Sequence, residues 1–291
     1  MSAGAQRVID ARVRLPLELW PAEFRSLRDE YVTQYDAVLR LNANRERSLE
    51  QLKSDMETAG VSHAIVHAEH EMGDPADALN EAVAQLVQSD PARFSGFGTI
   101  SLEHFQIKRA VHQVQRIHDL GLIGVCFQPS FFGMAIDDRR LYPVYLRAME
   151  LSLPVAVHTG INYSTIHPII NDHPLMVDQV ACDFPDLIVV ACHAGWPWVP
   201  EMVAVARKHP RVLMEFGGLA PKYVGSSGTG WEVMHRFMNS VLRNQVMFGT
   251  DWPVFPMDRA VSEWRAMDLK PDVRTALLGG NAEQLLMRGT S

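Results

Sequence analysis

Val155-Ala156-Val157-His158-Thr159-Gly160 is an unbroken apolar run that stops on an ionisable side chain and a glycine. The same form returns in Val190-Ala191-Cys192-His193-Ala194-Gly195 and in Met247-Phe248-Gly249-Thr250-Asp251-Trp252-Pro253. Short, continuous apolar runs suit parallel strands that are covered on both faces. Extended outward, the pattern predicts strands at Val8–Asp10, His63–His67, Ser95–Ile100, Ile123–Gln128, Pro154–His158, Leu187–His193, Val212–Phe216 and Val246–Asp251. Between them, apolar residues recur at helical spacing, as in Ala78, Leu79, Ala82, Val83 and Leu86, or Ile107, Ala110, Val111, Val114 and Ile117. Each such stripe predicts a helix packed on a sheet.

Strand alternating with helix eight times predicts an α/β chain of parallel βαβ units. The strand count, and a length of 291 residues against the roughly 250 typical of that fold, predict a single (β/α)8 TIM barrel as one domain over 1–291. An open nucleotide-binding sheet would want glycine after its first strand, but Ala11-Arg12-Val13-Arg14-Leu15-Pro16 has none. Leu17–Asn44 and Ala220–Trp231 are expected as loop insertions on the C-terminal face, where barrel chemistry sits. The second contains Gly225-Ser226-Ser227-Gly228-Thr229-Gly230. It reads as a surface loop or a lid, and poorly as a phosphate cradle, because no lysine-serine/threonine pair follows it.

A formal net charge of −7 and the lack of a basic, aromatic-laced stretch argue against nucleic acid as a partner. No apolar run has the roughly 18–20 residues of a membrane span. Met1 to Arg7 lacks the apolar core of a signal peptide. The odd set Cys126, Cys182 and Cys192 fits free thiols in a reducing cytoplasm. The expected partner is a small-molecule substrate.

The chemistry is expected at the strand ends. A histidine or aspartate after an apolar run costs several kcal/mol to bury without partners, roughly as for other polar groups. Three of them on converging strands point to a site made of His158, His193 and Asp251. Trp196, Trp198, Trp252, Phe131 and Phe132 follow these strands and are read either as an aromatic pocket wall or as loop packing. Gln128 is a candidate hydrogen-bonding residue for substrate, and Glu215 is read as either a mouth residue or an outward ion-pair partner.

His-Thr-Gly, His-Ala-Gly and Phe-Gly-Thr-Asp-Trp-Pro, in that order, resemble the amidohydrolase-related barrels. The branch resembled includes aminocarboxymuconate semialdehyde decarboxylase and the resorcylate-type decarboxylases. Asp137-Asp138-Arg139-Arg140-Leu141-Tyr142-Pro143, Asp183-Phe184-Pro185-Asp186-Leu187 and Gly279-Gly280-Asn281-Ala282 support it. The resemblance implies His158 as a metal ligand, Asp251 as a metal ligand or proton carrier, and His193 as a catalytic acid/base or transition-state stabiliser. It also implies a His-x-His metal motif ending strand one, and relatives that are often homodimers.

Here the sequence departs from the pattern, because Arg12-Val13-Arg14 stands where His-x-His is implied. Arginine stays protonated and offers a metal no lone pair. The expectation is therefore no tightly bound cofactor. Zinc is expected at most as a weak or incomplete site at His158 and Asp251, or as a shifted one using His67, Glu69 or His70. Residues two apart on a strand share a face, so Arg12 and Arg14 are expected at the mouth together. There they bind an acidic substrate, or they pair with Asp10 or another carboxylate. The leading expectation is a metal-independent hydrolase of a small carboxylated or cyclic, lactone- or ester-like metabolite. In it Asp251 is the general base if the apolar barrel wall raises its pKa, an effect that nearby arginines oppose. The alternatives are a carboxy-lyase acting on an aromatic or muconate-type acid, and a non-catalytic barrel that binds a small acid.

Overall fold

The computed structural model describes residues 7–21, 48–68, 76–163 and 166–288. Eight parallel strands follow one another around a single sheet in the order β1 to β8. They are β1 (Ile9–Arg14), β2 (His63–His67), β3 (Phe94–Gly98), β4 (Gly124–Phe127), β5 (Val155–His158), β6 (Val189–Cys192), β7 (Val212–Glu215) and β8 (Val246–Met247). The expected (β/α)8 TIM barrel is what forms.

Helices cover the outside. They include α1 (Leu49–Ala59), α2 (Ala76–Ser89), α3 (Ile107–Asp119), α4 (Tyr142–Glu150), α5 (Leu175–Asp183), α6 (Val199–Lys208), α7 (Glu232–Met238) and α8 (Met257–Ala266). Their apolar stripes and the outward side chains of the strands make one large core. A second, inner core fills the barrel with Ile9, Ile65, Phe97, Cys126, Ala156 and Met247, among others. The terminal helix α9 (Asn281–Arg288) adds Ala282 and Leu285 to it and plugs the end where the strands begin. Asn281 fixes that plug by donating to the carbonyls of Arg243 (2.8 Å) and Val246 (2.7 Å). The mouth is therefore left at the strands' C-terminal ends. Gly98 shows how closely the outer layer packs: a Cβ there would lie 2.4 Å from Ile117 Cγ1 on α3.

β3 to β7 differ from the sequence expectation by one or two residues at their ends, and β1 and β8 differ more. β1 runs on to Arg14 instead of ending at Asp10, and β8 keeps ladder geometry only over Val246–Met247. These larger differences have one cause, the seam where the barrel closes. The chain after β8 stays on β1 through Ala11 N–H to Phe248 O, Asp251 N–H to Arg12 O and Arg14 N–H to Trp252 O, each 2.9 Å. Asp251 sits at φ +56°, in the left-handed region, so regular pairing breaks there. Val13 and Trp252 then form an isolated bridge.

Asp10 ties the seam from within. Its fully buried carboxyl accepts from Arg12 N (3.1 Å), Thr250 N (3.0 Å) and Thr250 Oγ1 (2.5 Å). Thr250 Oγ1 accepts in turn from Trp252 N at 3.0 Å.

Ala220–Trp231 holds one helical turn, Pro221–Val224, and is tied internally by Thr229 Oγ1 donating to the carbonyls of Tyr223 and Ser226. The Gly228 N–H, which a phosphate cradle would need, is taken by Glu232. Most of Leu17–Asn44 lies outside the described residues. None of the described helices is long and apolar enough to cross a membrane, and the three cysteines are free thiols.

Removing the Asp10 carboxyl strands two buried N–H groups at the seam. Asp10→Ala should lower unfolding free energy by about 2–4 kcal/mol. Asp10→Asn, which keeps an acceptor for both N–H groups, should cost clearly less. Urea denaturation midpoints of the two variants check this, and equal losses would refute it.

Candidate functional site

Strand β1 carries a bulge. Between Asp10 and Val13 it advances three residues while β2 advances two, from Ala64 to Val66. An extra residue of this kind resets which side chains face inward. Ile9 and Ala11 belong to the inner core, yet Val13 belongs to the outer one. Arg12 and Arg14 both turn to the mouth as a result.

There they meet Asp251. Arg14 Nε donates to Asp251 Oδ1 at 2.9 Å and its Nη2 to Oδ2 at 3.2 Å. Arg12 Nε donates to Oδ1 at 3.2 Å. Arg12 also lies 3.8 Å from Glu215 Oε1 and donates from Nη1 to Cys192 Sγ at 3.0 Å. Both arginines thus pair with Asp251, with Glu215 as a further carboxylate beside Arg12. Asp10 accepts the backbone N–H of Arg12. Burial alone would push the Asp251 carboxyl up. The adjacent charges of Arg14 and Arg12 outweigh it and hold the carboxyl well below the usual carboxylate range. Of the two opposing effects weighed on Asp251 from sequence, the apolar wall and the nearby arginines, the arginines prevail.

Glu215, left open from sequence, points inward and is fully buried. It accepts from His193 N at 2.9 Å and from Gly217 N at 2.5 Å. Burial raises its pKa, against the opposing pull of Arg12. A Cβ on Gly217 would lie 2.6 Å from Glu215 Oε2 and 2.8 Å from Arg12 Cδ, so this turn requires glycine.

The two histidines stand together, ring centroids 4.8 Å apart. His193, at φ +59°, directs Nδ1 to the Gly217 carbonyl at 2.7 Å. Nδ1 is then the donor, and Nε2 keeps its lone pair. Burial and the charge of Arg12 hold the His193 pKa well below its ordinary value, so the ring is neutral. His158 Nδ1 lies 2.8 Å from Asp172 Oδ1, and the Phe131 ring meets His158 edge-on at 5.5 Å. Asp172 is fully buried. It lies fourteen residues beyond His158, at the end of a short 3-10 turn, Ile169–Asp172, with no flanking pattern to single it out, so the sequence reading missed it.

A small pocket lies under the mouth, lined by Arg12, Cys126, Phe127, Gln128, Ala156, His158 and Cys192. Gln128 lines this pocket. Of the two readings of Trp252, the structure shows packing: its ring is buried in the outer core, and Nε1 donates to Asp55 Oδ2 of α1 at 2.9 Å. Trp252 is therefore a packing residue, because its backbone hugs β1 and turns the ring outward. Trp196 likewise packs half-buried against the outer core, and Trp198 rests against His173.

The donor set does not suit a divalent metal. Both Asp251 oxygens receive guanidinium N–H groups, and two fixed cations stand where two neutral ligands would be needed. Among the described residues, no three ligand-bearing side chains gather around Asp251 within coordinating reach of one another. His67 Nε2 is 3.1 Å from the Ala11 carbonyl, and burial together with the charge of Arg12 brings its pKa down to about 3. Glu69 and His70 lie outside the described residues.

The ion-paired Asp251 stabilises the fold in its charged form. Its folded pKa lies below the unfolded value of 3.8, so the contribution is complete above that pH and is lost as pH falls below it. Asp251→Asn should cost about 3–5 kcal/mol at pH 7, because both guanidiniums stay buried with their counter-charge removed. It should also flatten the loss of stability between pH 4 and pH 3 that the parent protein shows. Denaturation midpoints across that range test both statements.

Comparison with known proteins agrees with this architecture. The amidohydrolase family model matches residues 9–288. The 2-amino-3-carboxymuconate-6-semialdehyde decarboxylase of Dictyostelium discoideum is 26% identical over 249 residues, 73% of this chain and 66% of that protein. The chain thus spans just under two thirds of that relative's length. An uncharacterized TIM-barrel protein from Bordetella bronchiseptica superposes with a TM-score of 0.80 at 29% identity, covering 98% of this chain and 100% of that one. A 5-carboxyvanillate decarboxylase from Novosphingobium aromaticivorans, solved with bound manganese, shares the fold at a TM-score of 0.73 and 18% identity, covering 97% of each chain. With strand-end side chains gathered at one mouth and a family model matched from β1 to the terminal helix, this chain belongs to the amidohydrolase family.

Proposed function

We propose that this amidohydrolase-family enzyme is a carboxy-lyase that removes carbon dioxide from a small aromatic or muconate-type acid without a catalytic metal. The observation that carries the reading is the state of Asp251. Locked between two guanidiniums, it is a weak base and a poor activator of water. Hydrolysis was the first expectation, and it asks for such an activator. Decarboxylation asks instead for a cation facing the substrate's negative oxygens and a proton donor facing carbon. Arg12 on the pocket wall and His158, backed by Asp172, supply those two functions. The decarboxylases among the similar proteins support the same choice.

In this mechanism the substrate carboxylate, or an adjacent oxyanion, lies against Arg12, where a guanidinium gives charge-assisted hydrogen bonds. His158, carrying a proton on Nε2, gives it to the substrate carbon that bears the carboxylate. The Asp172 carboxylate faces the positive ring before that transfer. The C–CO2 bond then breaks, and its electron pair restores the double bond. Per turnover, R–CO2⁻ and one proton give R–H and CO2, and His158 is reprotonated from solvent. Among the described residues no metal-type donor set surrounds Asp251, and no step is assigned to a metal.

The test is a panel of hydroxylated aromatic acids, muconate-type acids and lactones. The expected outcome is carbon dioxide release with one proton consumed, at a rate unchanged by EDTA. A new carboxylate without carbon dioxide would mean hydrolysis, and binding without turnover would mean a non-catalytic barrel. His158→Asn should lower kcat by about 100-fold or more, as expected for loss of a general acid. Arg12→Met should weaken apparent substrate affinity. Turnover within about tenfold of the parent in His158→Asn would remove His158 from the proposed role.

A further inference from the structure

A second group of ligand-type side chains lies far from the mouth. Asp178 and Cys182 are four residues apart on α5, so they share a helix face. His209 follows the last residue of α6 and reaches the same spot. Both helices finish at the end of the barrel where the next strand begins, opposite the end that holds His158. His209 Nε2 is 2.6 Å from Asp178 Oδ1, and Cys182 Sγ is 4.0 Å from the same nitrogen. The carboxylate, thiol and imidazole ligand atoms all lie within 4.8 Å of one another. Cys182 is exposed, which leaves the outer side of the group open to water.

We infer that Asp178, Cys182 and His209 form a surface site for a thiophilic divalent cation, with zinc the best fit. One thiolate, one imidazole and one carboxylate are all zinc ligands, and solvent can supply the fourth position of a tetrahedron. A soft thiolate selects against magnesium, calcium and manganese. The position already holds a positive charge. Lys208 Nζ donates to Asp178 Oδ1 (2.7 Å) and Oδ2 (3.0 Å), and it lies 3.5 Å from Cys182 Sγ. Zinc therefore enters by exchange: the Lys208 ammonium swings into solvent, the Cys182 thiol gives up its proton, and the metal takes their place. Binding accordingly strengthens as pH rises. Bound metal would clamp the end of α5 to the end of α6 and would touch no group at the mouth.

The site bears on any metal analysis of this protein, since zinc bound here would mimic a catalytic metal by stoichiometry alone. Cobalt(II) together with C182S separates the two, because a Cys182 ligand gives a near-ultraviolet thiolate-to-cobalt band that this variant removes, whereas a band from Cys126 or Cys192 at the mouth would survive it. The expected result is one equivalent of cobalt with that band, displaced by zinc. C182S should abolish the band and weaken zinc binding by at least about tenfold, and H209A should weaken it similarly. K208M should tighten zinc binding by at least about fivefold by removing the competing cation. Carbon dioxide release, if present, should be unchanged in C182S, so the two proposals fail separately. Absence of the band at saturating cobalt, a band that survives C182S, or unaltered zinc affinity in K208M would each overturn the inference.

Discussion

The barrel's mouth depends on a carboxylate held between two guanidiniums where the last strand meets the first. Asp251 comes from the chain after β8, and Arg12 and Arg14 come from β1. All three are buried, so each has given up most of its hydration. Such a cluster gains little over an apolar one of the same shape, but removing one member is severe, because the others stay behind as unmatched buried charges. The seam is thereby tied to its own chemistry, since the groups that set the field of the pocket also hold its closing strands in register. Asp10 adds a second tie just below, through the backbone of Arg12 and Thr250.

That geometry needs unusual backbone nearby. His193 and Asp251 are non-glycine residues in the left-handed region, as is Ala194. Such conformations cost of order 1 kcal/mol or more each and persist where the surroundings fix them. Here Glu215 fixes one by accepting the His193 N–H, and the carbonyl of Arg12 fixes the other by accepting the Asp251 N–H. Gly217 is the complement, leaving room for Glu215 and Arg12 where any side chain would collide. Strain, glycine and buried charge together form one rigid floor beneath the two imidazoles.

A floor built from guanidiniums behaves differently from one built on a metal. Its charge does not vary over the working pH range, and no chelator removes it. It cannot lower the pKa of a bound water as a Lewis acid does, and its directional N–H groups suit planar oxyanions. Under the proposed function, such a floor favours acids whose own charge does the binding. The neutral state of His193, enforced by burial and Arg12, keeps a lone pair beside His158 in an otherwise cationic setting.

Much of this was legible in the chain. Apolar runs ending in His158, His193 and Asp251 announced both the barrel and the side chains at its mouth, because strands buried on both faces must be apolar and the polar residue must come where burial ends. Arg12-Val13-Arg14 announced the missing histidine pair. Other features were hidden because they depend on partners distant in sequence. Asp172 reaches His158 only through the path of a loop, and Trp252 turns away from the pocket only because its backbone pairs with β1. Strict alternation from Ile9 would have placed Val13 inside and both arginines outside. The sequence by itself thus determined the strand-helix alternation and the kinds of charge at the mouth. The tertiary structure decided which way Arg12 and Arg14 face and that Asp251 is an ion-paired weak base, because the bulge that turns β1 exists only once β2 and the chain after β8 have closed on either side of it.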